Sequence, residues 1–89
     1  MMTEEIRAKK EVLIEESYKR GLEALQQHSV STGMDKERAY SRFIEARNEL
    51  IAMQKAFCEL DGELSDYCCT LGLDLGNQMI EFCQKELAA

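Results

Sequence analysis

Proline is absent from all 89 residues of the chain, and this absence is the strongest constraint on its fold. Proline breaks helix interiors, so a chain without it suits a few long helices better than many turns. Apolar residues recur at steps of three and four over three long segments, which is the spacing of one helix face. The sequence therefore predicts an all-α fold with a single domain over residues 1–89. We expect an antiparallel bundle of three long helices, at about 3–27, 35–60 and 64–87.

The breaks between the predicted helices follow from short segments rich in polar residues and glycine. Thr3 is the predicted N-cap of the first helix, because its hydroxyl can accept a hydrogen bond from a free amide of the first turn. Residues 28–34 mix Ser, Thr and Gly without a period and predict a loop, and Asp35 is the predicted N-cap of the second helix. Asp61 and Gly62 form a turn dipeptide, so we expect Gly62 to end the second helix in the left-handed conformation.

The third predicted helix is more apolar than the other two. The first and second helices each show one apolar face, whereas the third carries two neighbouring apolar sets that together cover roughly 200° of its circumference. We expect such a helix to be buried on two sides, either in the groove of the other two helices or against them and a second chain. The first set is Leu64, Cys68, Leu71, Leu75, Met79 and Phe82, and the second is Cys69, Gly72, Leu73, Gly76, Ile80, Cys83 and Leu87.

The second apolar set supplies the candidate interface. Leu73, Ile80 and Cys83 offer apolar side chains, while Gly72 and Gly76 would let a neighbouring helix approach closely because they lack side chains. Self-association into a two-fold dimer is the simplest way to cover such a surface. The sequence therefore predicts a protein partner, with a homodimer as the expected assembly.

Composition and charge limit the compartment and the classes of partner. The net charge is −6, with 17 acidic and 11 basic residues, which argues against general binding to nucleic acid or to anionic membranes. The amino terminus is charged from residue four onward, and the longest apolar run is three residues. We therefore expect no secretory signal and no membrane span. Four cysteines without an export signal predict reduced thiols in a cytoplasmic protein.

The residue pattern indicates no catalysis, no cofactor and no metal. Cys68 and Cys69 are adjacent, so on a helix their thiols point about 100° apart and are poor joint ligands for zinc. We expect the four cysteines to be buried packing thiols, with a redox-sensitive pair or an intermolecular disulfide as the alternatives. His28, the single histidine, falls in the predicted polar loop away from an obvious nucleophile. The chain is therefore predicted not to be an enzyme.

Two polar residues interrupt the apolar stripe of the second helix. Arg47 and Gln54 each lie between apolar neighbours one turn away. A buried arginine is costly unless it is paired, so an ion pair or polar network that fixes the helix register is the first interpretation. A ligand pocket between helices is a second interpretation, and extension of the Arg47 head group to solvent is a third.

The charges are unevenly distributed along the chain. In an antiparallel bundle the end of the first helix and the start of the second lie together, so we expect one basic end and one strongly acidic end. The candidate basic patch is Lys19, Arg20, Arg38 and Arg42, and the acidic end is Glu59, Asp61, Glu63 and Asp66. Solvated helix faces with ordinary ion pairs would produce the same pattern, and opposite-sign docking patches are the functional interpretation.

These features predict a small helical protein-interaction module: an adaptor, a small chaperone or an inhibitor that acts by binding another protein. Two alternatives from a different class stay open. One is a nucleic-acid-associated regulator that uses Arg38 and Arg42 to contact phosphate. The other is an acidic mimic of nucleic acid that occupies the basic site of a nucleic-acid-handling protein.

Overall fold

The computed structural model describes residues 3–88, which form three α-helices joined by short connections. Helix α1 spans Glu4–Val30, α2 spans Gly33–Phe57 and α3 spans Gly62–Ala88. The helices pack side by side in a bundle with extents of 50 × 21 × 15 Å. Residues 3–88 contain no strand, and the predicted all-α bundle of three long helices is confirmed.

Ion pairs between helix ends show the direction of each helix. Arg7, near the start of α1, pairs with Asp61 and Glu63 at the start of α3, with both N···O distances 2.8 Å. Lys36, near the start of α2, pairs with Glu86 near the end of α3 at 2.6 Å. Helices α1 and α3 therefore run in the same direction and α2 runs opposite to them, which is the up-down-up topology that short connections allow.

The start of α1 agrees with the sequence, whereas the connection to α2 is shorter than predicted. The Thr3 hydroxyl accepts a hydrogen bond from the backbone N–H of Ile6 at 3.2 Å, so the predicted N-cap is confirmed. Helix α1 continues three residues beyond its predicted end, and only residues 31–32 separate it from α2. Gly33 begins α2 with φ +59°, a conformation that glycine adopts without strain. Asp35 lies in the first turn and is not the N-cap.

The extra turn of α1 is stabilised by its packing. His28 is buried, and its ring lies 5.2 Å from the Phe82 ring and 6.1 Å from the Tyr40 ring between centroids. Tertiary contacts of this kind hold a helical turn that local propensity alone would not. A segment that is predicted to be a polar loop is therefore partly helix in contact with the core.

The start of α3 is capped by a carboxylate. Asp61 Oδ1 accepts hydrogen bonds from the backbone N–H groups of Glu63 and Leu64, at 3.0 and 3.2 Å. Gly62 is the first residue of α3, and Gly33 is the one glycine with positive φ within residues 3–88. The prediction of a left-handed Gly62 is wrong, because Asp61 satisfies two free amides and starts the next helix directly.

The core lies along the centre of the bundle, and one glycine sets how closely two helices approach. A Cβ atom added at Gly21 of α1 would lie 2.6 Å from Cδ1 of Leu75 in α3. Gly21 therefore allows α1 and α3 to lie in close contact, and any larger residue there would displace a fully buried side chain. The largest fully buried side chains are Phe43, Ile14, Leu50, Leu64, Leu75 and Cys68.

Polar contacts tie α1 to both neighbours. Glu49 of α2 accepts hydrogen bonds from Ser17 at 2.8 Å and from Arg20. The Ser17 hydroxyl and then the Arg20 guanidinium hold the pKa of the Glu49 carboxyl below its ordinary value. On the opposite side of α1, the Tyr18 hydroxyl donates to Asp74 of α3, and this bond raises the pKa of Tyr18. These contacts fix the helix register through the side chains of α1.

Candidate functional site

Helix α3 buries one side against α1 and α2. We call its fully buried apolar residues the inner stripe. Their exposed fractions are between 0% and 7%, and they belong to the continuous hydrophobic core. The inner stripe consists of Leu64, Cys68, Leu75 and Met79.

Six of the seven residues of the second apolar set of α3 lie outside that core, and the seventh, Gly72, is buried. We call the six the outer stripe: Cys69, Leu73, Gly76, Ile80, Cys83 and Leu87. Leu73 is 57% exposed, Ile80 is 56% exposed and Leu87 is 89% exposed, and both stripe cysteines are exposed. The groove of α1 and α2 therefore covers the inner stripe and leaves the outer stripe exposed. Contact with a second chain stays a prediction.

The outer stripe has the spacing of a helix-pairing surface. Its members follow one another at steps of four, three, four, three and four residues, which is the heptad pattern that lets one helix lie along another. The row beside it, away from α2, is Thr70, Asn77 and Gln84, all exposed and all uncharged. In a chain with 31% charged residues, a helix surface of this length without a charge is unusual, and depletion of charge is the compositional mark of interface centres.

Two of the five predicted interface residues are glycines that contact α2 instead of forming an open notch. Gly72 is buried, and its carbonyl accepts a hydrogen bond from Arg47 Nε at 3.3 Å. The Arg47 guanidinium also lies 3.3 Å from the place where a Gly76 Cβ would be. Gly72 therefore belongs to the contact between α2 and α3, and Gly76 lies at the edge of the outer stripe. Leu73, Ile80 and Cys83 are exposed as a binding surface requires.

The polar residues predicted inside the α2 stripe are half-buried. Arg47 takes part in no ion pair among residues 3–88 and instead bonds to the Gly72 carbonyl. Of the interpretations given for Arg47, this bond agrees with a polar contact between helices, without an ion pair in the described residues. At Gln54 the backbone carbonyl accepts a hydrogen bond from Ser65 Oγ at 3.0 Å. Both residues join α2 to α3 at the margin of the outer stripe.

Helix α2 carries an apolar residue on either side of Arg47. Ile44 and Ile51 lie three residues before and four residues after Arg47, hence on the same helix face. Ile51 is 37% exposed and Ile44 is half-buried. They flank Arg47, whose side chain contacts α3 at Gly72 and Gly76.

The cysteines divide between core and surface. Cys68 is 1% exposed, and its burial raises the pKa of the thiol. Cys58, Cys69 and Cys83 are exposed, and all four thiols are free. The prediction of buried packing thiols is therefore correct for Cys68 alone. The other three cysteines lie on the surface of the bundle, outside the hydrophobic core.

The predicted basic patch is divided between α1 and α2, and two of its four residues are in ion pairs. Arg20 pairs with Glu49 across α1 and α2, and Arg38 lies 3.9 Å from Asp35 in its own helix. Arg42 is exposed beside an open cleft of about 730 Å³ between α1 and α2. The remaining member of the patch is exposed on α1: Lys19. The cleft is also lined by Glu23, Glu45 and Glu49, so its walls carry both signs of charge.

The net charge belongs to one half of the bundle. The half formed by residues 3–16 and 46–74 carries five basic and eleven acidic side chains. The other half, residues 17–45 and 75–88, carries six of each. The expected basic end is therefore neutral, because α3 brings Glu81 and Glu86 to it, whereas the acidic end is present as expected.

The single histidine lies in an apolar site. Burial is the main cause that lowers the pKa of His28, and the positive charge of Lys36 adds to it, while Glu86 opposes it. Its Nδ1 atom is buried without a hydrogen-bond partner. Sequence reasoning missed this burial, since the polar neighbours of His28 resemble a loop. The signal was the spacing of His28 from Gly21 and Ala24, which are buried on the same face.

Metal ligation has no obvious place in the part of the chain described by the structure. No group of three or more His, Cys, Asp or Glu side chains converges there. None of the helices described is long and apolar enough to cross a membrane.

No protein-family model, curated protein or solved structure matches this chain. The exposed surface of α3 is therefore the feature of the molecule that bears on function.

Proposed function

We propose that this chain is a protein-interaction module that works by binding another polypeptide through the outer stripe of α3. The observation that carries the proposal is the exposure of Leu73 and Ile80, each more than half exposed, on a helix surface without charges. Contiguous apolar surface costs solubility, and soluble proteins keep it where a partner covers it. The three exposed thiols favour a reducing compartment, so we place the module in the cytoplasm.

The shape of the surface suits an α-helix as the bound segment. From Cys69 to Leu87 the stripe is about 27 Å long, at about 1.5 Å per residue. Side chains at steps of three and four fit between those of a second helix at the same steps. An adaptor, a small chaperone or an inhibitor would each work in this way, by holding a helix of its target against α3.

The experiment compares capture by three immobilised versions of the full chain under reducing conditions. The test variant carries Leu73→Glu and Ile80→Glu. The control carries Val12→Glu and Leu13→Glu, two aliphatic residues of α1 that are 51% and 53% exposed. We expect the wild type and the control to retain the same partner, either another protein from an extract of the producing cells or added free chain. The α3 variant should lose it, because glutamate side chains would be buried without partners.

Equal retention by all three versions would contradict the proposal. So would equal loss from both variants, because the effect would then follow from added charge and not from α3. Circular dichroism of each variant checks that the bundle is intact. We expect all three to fold, since the four substituted side chains lie outside the core.

One alternative function has a specific observation in its favour. The whole net charge of −6 lies in one half of the bundle, as an acidic mimic of nucleic acid would require. Binding to a nucleic-acid-handling protein that weakens steeply with salt, and that survives Leu73→Glu with Ile80→Glu, would favour this function. Direct nucleic-acid binding through Arg38 and Arg42 gains no such support, since their half of the bundle is neutral.

A further inference from the structure

The spacing of the residues in the outer stripe is the same in both directions along α3. Its steps are four, three, four, three and four residues in either direction. Two α3 helices that lie antiparallel therefore bring every member of one stripe opposite a member of the other. In this register Leu73 faces Cys83 of the second copy, and Ile80 faces Gly76 of the second copy. The two leucines of each stripe then meet the smaller cysteines of the other, as close packing requires, while Ile80 meets Gly76 and the Arg47 guanidinium that lies beside it.

The charge of the chain limits where two copies can touch. Each copy carries −6, so contact over most of the surface would bring carboxylates together. The outer stripe and the row Thr70, Asn77 and Gln84 beside it contain no charged side chain. Charged residues at such flanking positions usually select an unlike partner helix. Their absence on this flank removes both the repulsion between copies and the charge selection for a different chain there. On the other flank the one charged residue, Glu86, is paired with Lys36 of its own chain.

Asp66 decides the direction of the second helix. It lies seven residues before Leu73 and is exposed, so it occupies the next position in line with the stripe. Parallel helices would place Asp66 against the same residue of the second copy, and like charges at close range are unfavourable. In the antiparallel register Asp66 faces neither Asp66 of the second copy nor any residue of its outer stripe.

The distribution of net charge favours the same direction. A parallel dimer would place two halves with a charge of −6 side by side, whereas an antiparallel dimer places each of them beside a neutral half. Screening over about 8 Å at physiological salt weakens this effect without removing it for adjacent helices. Stripe spacing, the one uncharged flank and both charge arguments therefore favour one arrangement.

We propose that the polypeptide bound by the outer stripe is a second copy of this chain, with the two α3 helices antiparallel and Leu73 of each opposite Cys83 of the other. This inference rests on the proposed function, which requires only that the stripe binds a protein. It adds the identity of the partner and the geometry of the contact.

The first test is the solution mass of the full chain with reducing agent present, measured by sedimentation over a wide range of concentrations. We expect the wild type and the Val12→Glu, Leu13→Glu control to reach twice the chain mass of 10.2 kDa. Leu73→Glu with Ile80→Glu should raise the dissociation constant by about 100-fold or more, because each copy would bury two unpaired carboxylates. A wild type that stays monomeric, or a dimer unaffected by these changes, overturns the proposal.

The second test determines the relative direction of the two α3 helices by disulfide cross-linking. The variant carries Leu73→Cys together with Cys58→Ser and Cys69→Ser, and Cys68 stays buried. Diamide accepts the two electrons and two protons released when a pair of thiols joins. We expect a covalent dimer that links position 73 of one copy to Cys83 of the other. Addition of Cys83→Ser should abolish this link.

A parallel dimer gives the opposite pattern. Position 73 would then lie opposite position 73, so a disulfide between the two thiols introduced at position 73 would still form after Cys83→Ser. In the variant that keeps Cys83, peptide mapping would find Cys83 joined to Cys83. That result overturns the antiparallel arrangement while the stripe remains a protein-binding surface. A monomeric chain whose α3 nevertheless captures a different protein overturns the second copy as partner and leaves the proposed function intact. A monomer with no capture that depends on α3 overturns both.

Discussion

The two stripes of α3 are made of similar residues and have different surroundings. The inner stripe contains Leu64, Cys68, Leu75 and Met79 and is almost completely buried, while Leu73 and Ile80 of the outer stripe are more than half exposed. The inner stripe has steps of four, seven and four residues and the outer stripe has steps of four and three, so each follows one face of the same helix. Hydrophobic periodicity therefore shows which positions form an apolar helix face, but it does not show whether that face is buried within the same chain.

The largest expected difference between the stripes is in stability. Leu75→Ala should lower the free energy of unfolding by about 3–5 kcal/mol, because it leaves a cavity at a fully buried site. Leu73→Ala, two residues away, should change it by less than about 0.5 kcal/mol, since surface truncations rarely matter more. Urea denaturation at a concentration where the chain is monomeric measures both. Equal losses would show that the outer stripe is part of the core.

Glycine substitutions extend the comparison to the backbone, with a smaller effect. Gly21→Ala should lower the free energy of unfolding by about 1–2 kcal/mol, because the added methyl group would displace Leu75 and the gain in helix propensity offsets only part of that cost. Gly72→Ala should raise it by up to about 1 kcal/mol, since no atom lies within 4 Å of the added carbon and alanine favours helix.

Thermal unfolding of the two alanine variants is the measurement. If Gly72→Ala destabilised the bundle as much as Gly21→Ala, the α2–α3 contact at Gly72 would be tighter than the structure gives. The two glycines are a matched pair, because both are buried and both lie in the middle of a helix.

The smallest expected effect is a pH dependence at the neutral end of the bundle. His28 has a folded-state pKa below its ordinary 6.5, so between these two values the unfolded chain binds more protons. The stability that His28 contributes as a neutral side chain is therefore full above pH 6.5 and decreases as pH falls below it. Denaturation between pH 8 and pH 5.5 should show this loss in the wild type. His28→Phe, which keeps a ring beside Phe82 and cannot titrate, should show a smaller slope, and equal slopes would place the titrating group elsewhere.

Much of the fold follows from local rules that the sequence obeys. The three long helices and the Thr3 cap follow from periodicity, capping chemistry and the absence of proline. The helix boundaries that the sequence predicts wrongly lie at the connections between helices. His28 resembles a loop residue by its neighbours, and Gly62 resembles a helix stop, yet burial of the first and capping by Asp61 determine the boundaries. Tertiary contacts of this type involve residues far apart in sequence.

The candidate site divides in the same way. The sequence by itself determined that α3 carries two apolar stripes, that its outer flank is uncharged and that the total charge is −6. Only the tertiary structure decided which stripe the bundle covers, that Arg47 lies across Gly72 and Gly76, and that the predicted basic end is neutral. The physical reason is that periodicity is a property of one helix, whereas burial and local charge are sums over all the helices that meet at a place.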